Sequence, residues 1–210
     1  MAIEEIDQMN FAITRQLLKV HTLEYEHGRP KIAKIELHPN LGRAIVHFQI
    51  KGERIFFTVF LDTEPKVKVV WTNITEGSRV IFKVTSETIH LDKISSLTKI
   101  PPTCSWDIGA PHPNGHGKHT FSLFGFEPTT EMAGDVESKI NTLLDKLEQD
   151  REGIRKMSAM ANSYIQIHWH GYYGNGMLGG FQLNKVTISR LANLQLAIDF
   201  DLYADGNPFE

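Results

Sequence analysis

Residues 31–75 read KIAKIELHPNLGRAIVHFQIKGERIFFTVFLDTEPKVKVVWTNIT, a run of strand-length segments separated by short breaks. Four segments, KIAKIELH (31–38), GRAIVHFQIK (42–51), RIFFTVFLD (54–62) and KVKVVWTNI (66–74), alternate or run apolar over strand length. They are rich in Val, Ile and Phe, the side chains that suit a half-buried pleated surface. The breaks between them, Pro39-Asn40-Leu41-Gly42, Gly52-Glu53 and Thr63-Glu64-Pro65, are of hairpin length. Four consecutive strands with such short connections form an antiparallel meander. Upstream the period changes to that of a helix. Ile3, Ile6, Met9, Ile13, Leu17 and Val20 recur at steps of three and four, and Glu4, Glu5 and Asp7 occupy the first turn. The expectation is one N-terminal helix, ended by Gly28-Arg29-Pro30, packed on the four-stranded sheet.

Downstream the chain restarts at Gly77-Ser78. RVIFKVTSETI (79–89) reads as a strand, and Leu91, Ile94 and Leu97 mark a short helix. A long irregular stretch, 101–119, holds four of the nine prolines, and KHTFSLFGF (118–126) resumes strand character. Helices are expected over 131–149, 154–161 and 186–194. Strands are expected over 163–173 and 194–203, with the glycine-rich break GNGMLGG (174–180) after the first of them. Two strand-then-helix units in this half, IHLDKISSLTKI and FQLNKVTISRLANL with their preceding strands, predict a split βαβ or ferredoxin-like layer. The expected architecture is therefore α+β in two units, an N-terminal one over 1–76 and a mixed βα one over 77–210.

Composition excludes several classes. The chain has 210 residues and is 41% hydrophobic and 22% charged, which is globular rather than disordered or fibrous. Its net charge is −3. Residues 1–76 carry ten basic and ten acidic groups and 77–210 carry twelve and fifteen, so the acidity sits in the second unit. No basic face marks a nucleic-acid partner, and no window approaches the ~18 consecutive apolar residues of a membrane span. With one cysteine, Cys104, and acids where a signal peptide carries bases, the expected compartment is the cytoplasm.

The chemistry-bearing residues are few. His168 and His170 lie two apart on a predicted strand and so share a face, a workable pair of metal ligands, with His112, His116 and His119 in the long loop as a third donor. The plainer reading makes them the polar face of an amphipathic strand alternating with Ile165, Ile167 and Trp169. No second cysteine and no paired-histidine helix motif supports the metal case, and neither cofactor nor catalytic residue is expected. Cys104 lacks the surroundings of a cysteine nucleophile. Gly174-Asn175-Gly176 lacks the spacing of a phosphate-binding turn. Asp199 and Asp201 share one face of the last strand, where acids discourage edge-to-edge pairing. The remaining signal is aromatic. Trp106 and His112 in the Pro-rich loop, and Tyr172 and Tyr173 beside the glycine break, are expected to form one side of a partner-binding surface.

Several local patterns carry a resemblance. RVIFKVTSETIHLDKISSLTKIPPT with the following WDIG, then KHTFSLFGF leading to KINTLLDKL, and the tail YIQIHWH followed by GGFQLNKVTISRLANLQLAIDFDLYA, resemble the bacterial family catalogued as domain of unknown function 4279, over about 78–204. The chain departs from that pattern in its additional segment 1–76, and in Phe121 where a tryptophan is expected. The resemblance implies a small bacterial cytoplasmic protein with no catalytic residues to carry over. It also implies a likeness to the immunity halves of toxin–immunity pairs, so the expected function is non-enzymatic neutralisation of a cognate protein toxin by direct binding. The rivals are a metal-assisted hydrolase centred on His168 and His170, and a small-molecule sensor with its ligand between the two units. Composition and spacing do not choose between monomer and dimer.

Overall fold

A computed structural model describes residues 1–174 and 176–208. The expected meander is present as β3 (Ile32–His38), β4 (Arg43–Gln49), β5 (Phe56–Asp62) and β6 (Lys68–Thr75), paired antiparallel in chain order. A small hairpin, β1 (Tyr25–Glu26) and β2 (Arg29–Pro30), precedes it and turns at His27 and Gly28, both at positive φ. Ala44, Val46 and Phe48 of β4 stand opposite Leu61, Val59 and Phe57 of β5, and this row is the core face. The helix expected over this face is two helices, α1 (Ala2–Gln8) and α2 (Ala12–Val20). The periodicity hid the break because Ile6 and Leu17 still reach the same core. Met9 turns left-handed at φ 51°. The buried Glu5 carboxylate then accepts from the Phe11 N–H at 3.1 Å and the Thr14 hydroxyl at 2.7 Å, satisfying donors at the start of α2.

The second unit has a five-stranded sheet in the order β11 (Ala197–Asp205), β10 (Asn162–Tyr172), β7 (Gly77–Ser86), β9 (Ser122–Phe126), β8 (Cys104–Trp106). Strands β7 to β10, with α3 (Leu91–Ser95) between β7 and β8 and α4 (Val136–Leu147) and α5 (Arg151–Met160) between β9 and β10, have the split βαβ order of a ferredoxin-like layer. β10, α6 (Lys185–Asn193) and β11 then add a parallel strand at the edge. Val80, Phe82, Val84, Ile165, Ile167 and Trp169 point to one side, where Ile140, Leu143, Leu144 and Leu147 of α4, Ile154 and Met157 of α5, and Leu191 of α6 cover them. Two expectations are corrected here. The 101–119 stretch is not wholly irregular, because residues 104–106 pair with β9. The helix expected from 131 starts at Val136, since Gly134 turns at φ 94° and Asp135 caps the helix by accepting from the Ser138 N–H at 2.7 Å.

The two sheets meet at residue 76, and the seam is specific. A Cβ on Gly77 would lie 1.8 Å from the Arg54 carbonyl oxygen, so only glycine permits this approach. The buried Lys139 ammonium donates to the Ser78 carbonyl at 2.9 Å, the Ser78 hydroxyl at 3.0 Å and the Met132 carbonyl, and burial pulls its pKa down to about 8. Tyr172, at the end of β10, inserts into the core of the first unit, and Asn207 donates to the Val20 carbonyl at 2.9 Å.

Candidate functional site

The helices cover one face of the five-stranded sheet. On the other face β10 presents Tyr164, Gln166, His168 and His170, and the parallel register sets His168 beside Asp201 and His170 beside Tyr203. His168 Nδ1 is 3.3 Å from Asp201 Oδ2, which also accepts from the Gln166 amide at 2.8 Å. Lys83 donates to the same glutamine from β7. Arg79 forms a two-pronged pair with Glu127, the Nε contact at 2.8 Å. The face is therefore a laced polar surface whose side chains hold one another in place.

His170 is 2% exposed. Its Nδ1 lies 2.8 Å from Asp205 Oδ2, its ring stacks on Tyr203 at 4.5 Å between centroids, and the Arg54 guanidinium stands 3.4 Å from its Nε2. A carboxylate only accepts and a guanidinium only donates, so these partners select the neutral ring with its proton on Nδ1. Burial pushes the His170 pKa below its ordinary value, against the opposing pull of Asp205. His168 is lowered too, by burial first, with Asp201 opposing.

The structure separates what the sequence reading joined. Trp106 ends β8 in the cross-strand row with Leu123, Thr85 and Asn162, at the start of β10. Tyr172 lies ten residues further along β10, ~33 Å away at the rise of an extended strand. The 101–119 loop and the 171–180 break thus occupy opposite ends of the sheet, and they do not form one surface. Trp106 is half-buried, stacked on His119 at 4.7 Å and edge-on to Phe121, and His112 packs on His119 at 4.0 Å. That loop is folded on itself. Asp107 anchors it, accepting from the Ser122 hydroxyl at 2.8 Å and the Leu91 N–H at 2.9 Å, and pairing with His90. Tyr172 is 8% exposed and donates its hydroxyl to the Asn207 carbonyl, so it is a core residue rather than a contact residue. Tyr173 is exposed. The same separation keeps His112, His116 and His119 away from His168 and His170, so the third metal donor is not where that reading needs it. Among the described residues no group of three or more His, Cys, Asp or Glu converges on a metal position. Asn175 of the glycine motif lies outside the described residues.

The sequence reading passed over the apolar surface of the last βαβ unit. Phe200 and Leu202, on the helix side of β11, are 45% and 63% exposed. Phe200 rests on Phe181 at 5.7 Å, which rests on Trp169 at 6.4 Å, so an aromatic line runs from core to surface. The Leu178 carbonyl crosses over Gly171, bringing exposed Met177 and Leu178 to the same end of the strands. The signal was available in the alternation of Ile198, Phe200 and Leu202, which reads as a buried row until the helices prove too few to cover it. β11 has one neighbour, β10, so its outer backbone groups have no strand partner among the described residues.

Among the described residues no helix is long and apolar enough to cross a membrane. No curated protein and no solved structure matches the chain. One family model does, a domain of unknown function (DUF4279), over residues 75–205. These bounds begin at the last residue of β6 and end with β11, so the family unit is the five-stranded sheet with its helices. That match spans more than half of the chain, which therefore belongs to the domain of unknown function 4279 family.

Proposed function

We propose that this chain is a non-enzymatic binding protein of the bacterial cytoplasm, an immunity protein that neutralises a cognate toxin by direct contact. The observation that carries the reading is β11, an edge strand with no outer strand partner among the described residues, with exposed Phe200, Leu202, Met177 and Leu178 beside it. Contiguous exposed apolar surface beside an open edge suits a protein partner that adds a strand. Asp199, Asp201 and Asp205 line the opposite side of the same strand, so the fitting partner edge is basic, as expected of a toxin that acts on nucleic acid. Tyr173 adds an exposed aromatic at the end of the strand. Inhibition then needs only an interface of ordinary size, ~800 Å² on each side.

Co-expression with the product of the adjacent gene tests this. The neighbour is expected to be toxic alone, harmless with this protein, and recovered with it as a complex. Leu202→Lys places a cation among the apolar contacts on an exposed side chain. It should weaken the complex by ~2 kcal/mol or more while the fold is kept. A neighbour that is harmless alone, or a complex indifferent to Leu202→Lys, overturns the reading.

A further inference from the structure

The four-stranded sheet has a second face, turned away from α1 and α2. Three cross-strand rows line it: Lys34, His47, Thr58 and Asn73; Glu36, Ile45, Phe60 and Trp71; His38, Arg43, Asp62 and Lys68. Gly134 and Asp135 of the second unit lie over the Glu36–His47 end. The other end is open. There Leu41, Ile45, Phe60, Val70 and Trp71 line a groove of about 530 Å³, within the range of small-molecule sites. Its shape has a local cause. The register of β6 against β5 jumps between Phe60 and Leu61, leaving Val70 as an extra residue. Such a bulge re-aims side chains, and here Val70 and the 57% exposed Trp71 both line the groove.

The charges at the groove are nearly all spoken for. Asp62 is paired with Lys68 at 3.2 Å, and Glu36 with Lys34 at 3.0 Å. Glu36 also stands 3.7 Å from His47 and 4.0 Å from His38. Arg43 is the exception: among the described residues its guanidinium has no hydrogen-bond or ion-pair partner, although Asp62 stands opposite in register. An unpaired guanidinium beside an apolar floor with an exposed indole is complementary to an apolar ring bearing one anionic fork.

We propose that this groove binds an aromatic carboxylate, its ring against Trp71 and Phe60 and its carboxylate on Arg43. The site is in the first unit, away from β11, and its occupancy does not depend on the toxin reading. Naphthalene-2-carboxylate is a suitable probe, with naphthalene-2-methanol as its neutral counterpart, each titrated calorimetrically into the full chain. The carboxylate should bind saturably. Arg43→Gln should weaken it at least about tenfold and leave the neutral compound within about twofold. Trp71→Ala should weaken both at least about tenfold. Both side chains are exposed, and an unchanged melting temperature shows that each variant has kept its fold. If Trp71→Ala lowers that temperature, the Arg43→Gln comparison alone decides. Absence of saturable carboxylate binding, or equal affinities in wild type and Arg43→Gln, overturns the proposal.

Discussion

His170 shows how a residue type with several possible roles is assigned by its partners. Two histidines on one strand face look like ligands until each is found beside its own aspartate on β11, with Arg54 occupying the free nitrogen of the deeper one. A neutral buried imidazole has a consequence in solution. With its folded pKa below 6.5, the unfolded chain takes up a proton that the native protein resists. Stability is therefore complete well above pH 6.5 and is lost as pH falls through and below it. His21, pushed down by burial alone, and His168 act in the same direction. The melting temperature should drop between pH ~7.5 and ~5.5, and His170→Gln should remove part of that slope. Identical slopes in the two proteins would contradict the assignment. Glu36 contributes to the acid limb. The His47 ring 3.7 Å away and the Lys34 ion pair at 3.0 Å outweigh burial and hold its pKa down at about 2, so its contribution is present above 4.5 and lost as pH falls toward 2.

At the scale of elements, the N-terminal helices show what periodicity omits. Apolar spacing continues across Met9 because both halves serve one core, so the stripe alone reads as a single helix. The break is encoded instead in Glu5, which is buried and spends its acceptors on the Phe11 N–H and the Thr14 hydroxyl. Removing that carboxylate with Glu5→Ala leaves the part-buried Phe11 N–H without its partner and the Thr14 hydroxyl with Thr72 alone, at a cost of about 1–3 kcal/mol. Chemical denaturation of the variant measures it, and a loss below about half a kcal/mol would mean that water replaces the carboxylate. The meander was legible because each strand alternates and each break is short. The split βαβ order was legible from its repeated strand–helix units. What stayed illegible depends on register and on distance in space. Nothing local in YIQIHWH pairs His168 with Asp201, and nothing in the Pro-rich loop says that Trp106 ends a strand ~33 Å from Tyr172. The exposure expected of Tyr172 beside the glycine break erred for the same reason: Tyr172 ends a strand that runs straight into the neighbouring core, while Tyr173 after it is exposed.

Across the whole molecule, the seam between the sheets decides whether the units behave as one. Tyr172 belongs by sequence to the second unit and by packing to the first, where its ring meets His21 edge-on at 5.4 Å. Gly206 lies where a Cβ would approach Tyr172 and Ile55 within 3 Å, and Asn207 ties the end of the chain to α2. Lys139 reaches the first residues of β7 from α4. Unfolding either unit alone would expose these groups, so calorimetry of the full chain should show a single transition. Tyr172→Ala empties a buried aromatic position at the seam and should cost about 3–5 kcal/mol. The informative measurement is the shape of the melt. If the seam couples the units, Tyr172→Ala lowers the temperature of the transition and splits it in two, the unit of β3–β6 melting first because it loses a core member. A variant that melts in one transition at the parent temperature would show that Tyr172 contributes nothing to the coupling. Two transitions already present in the parent would show that the units are energetically separate.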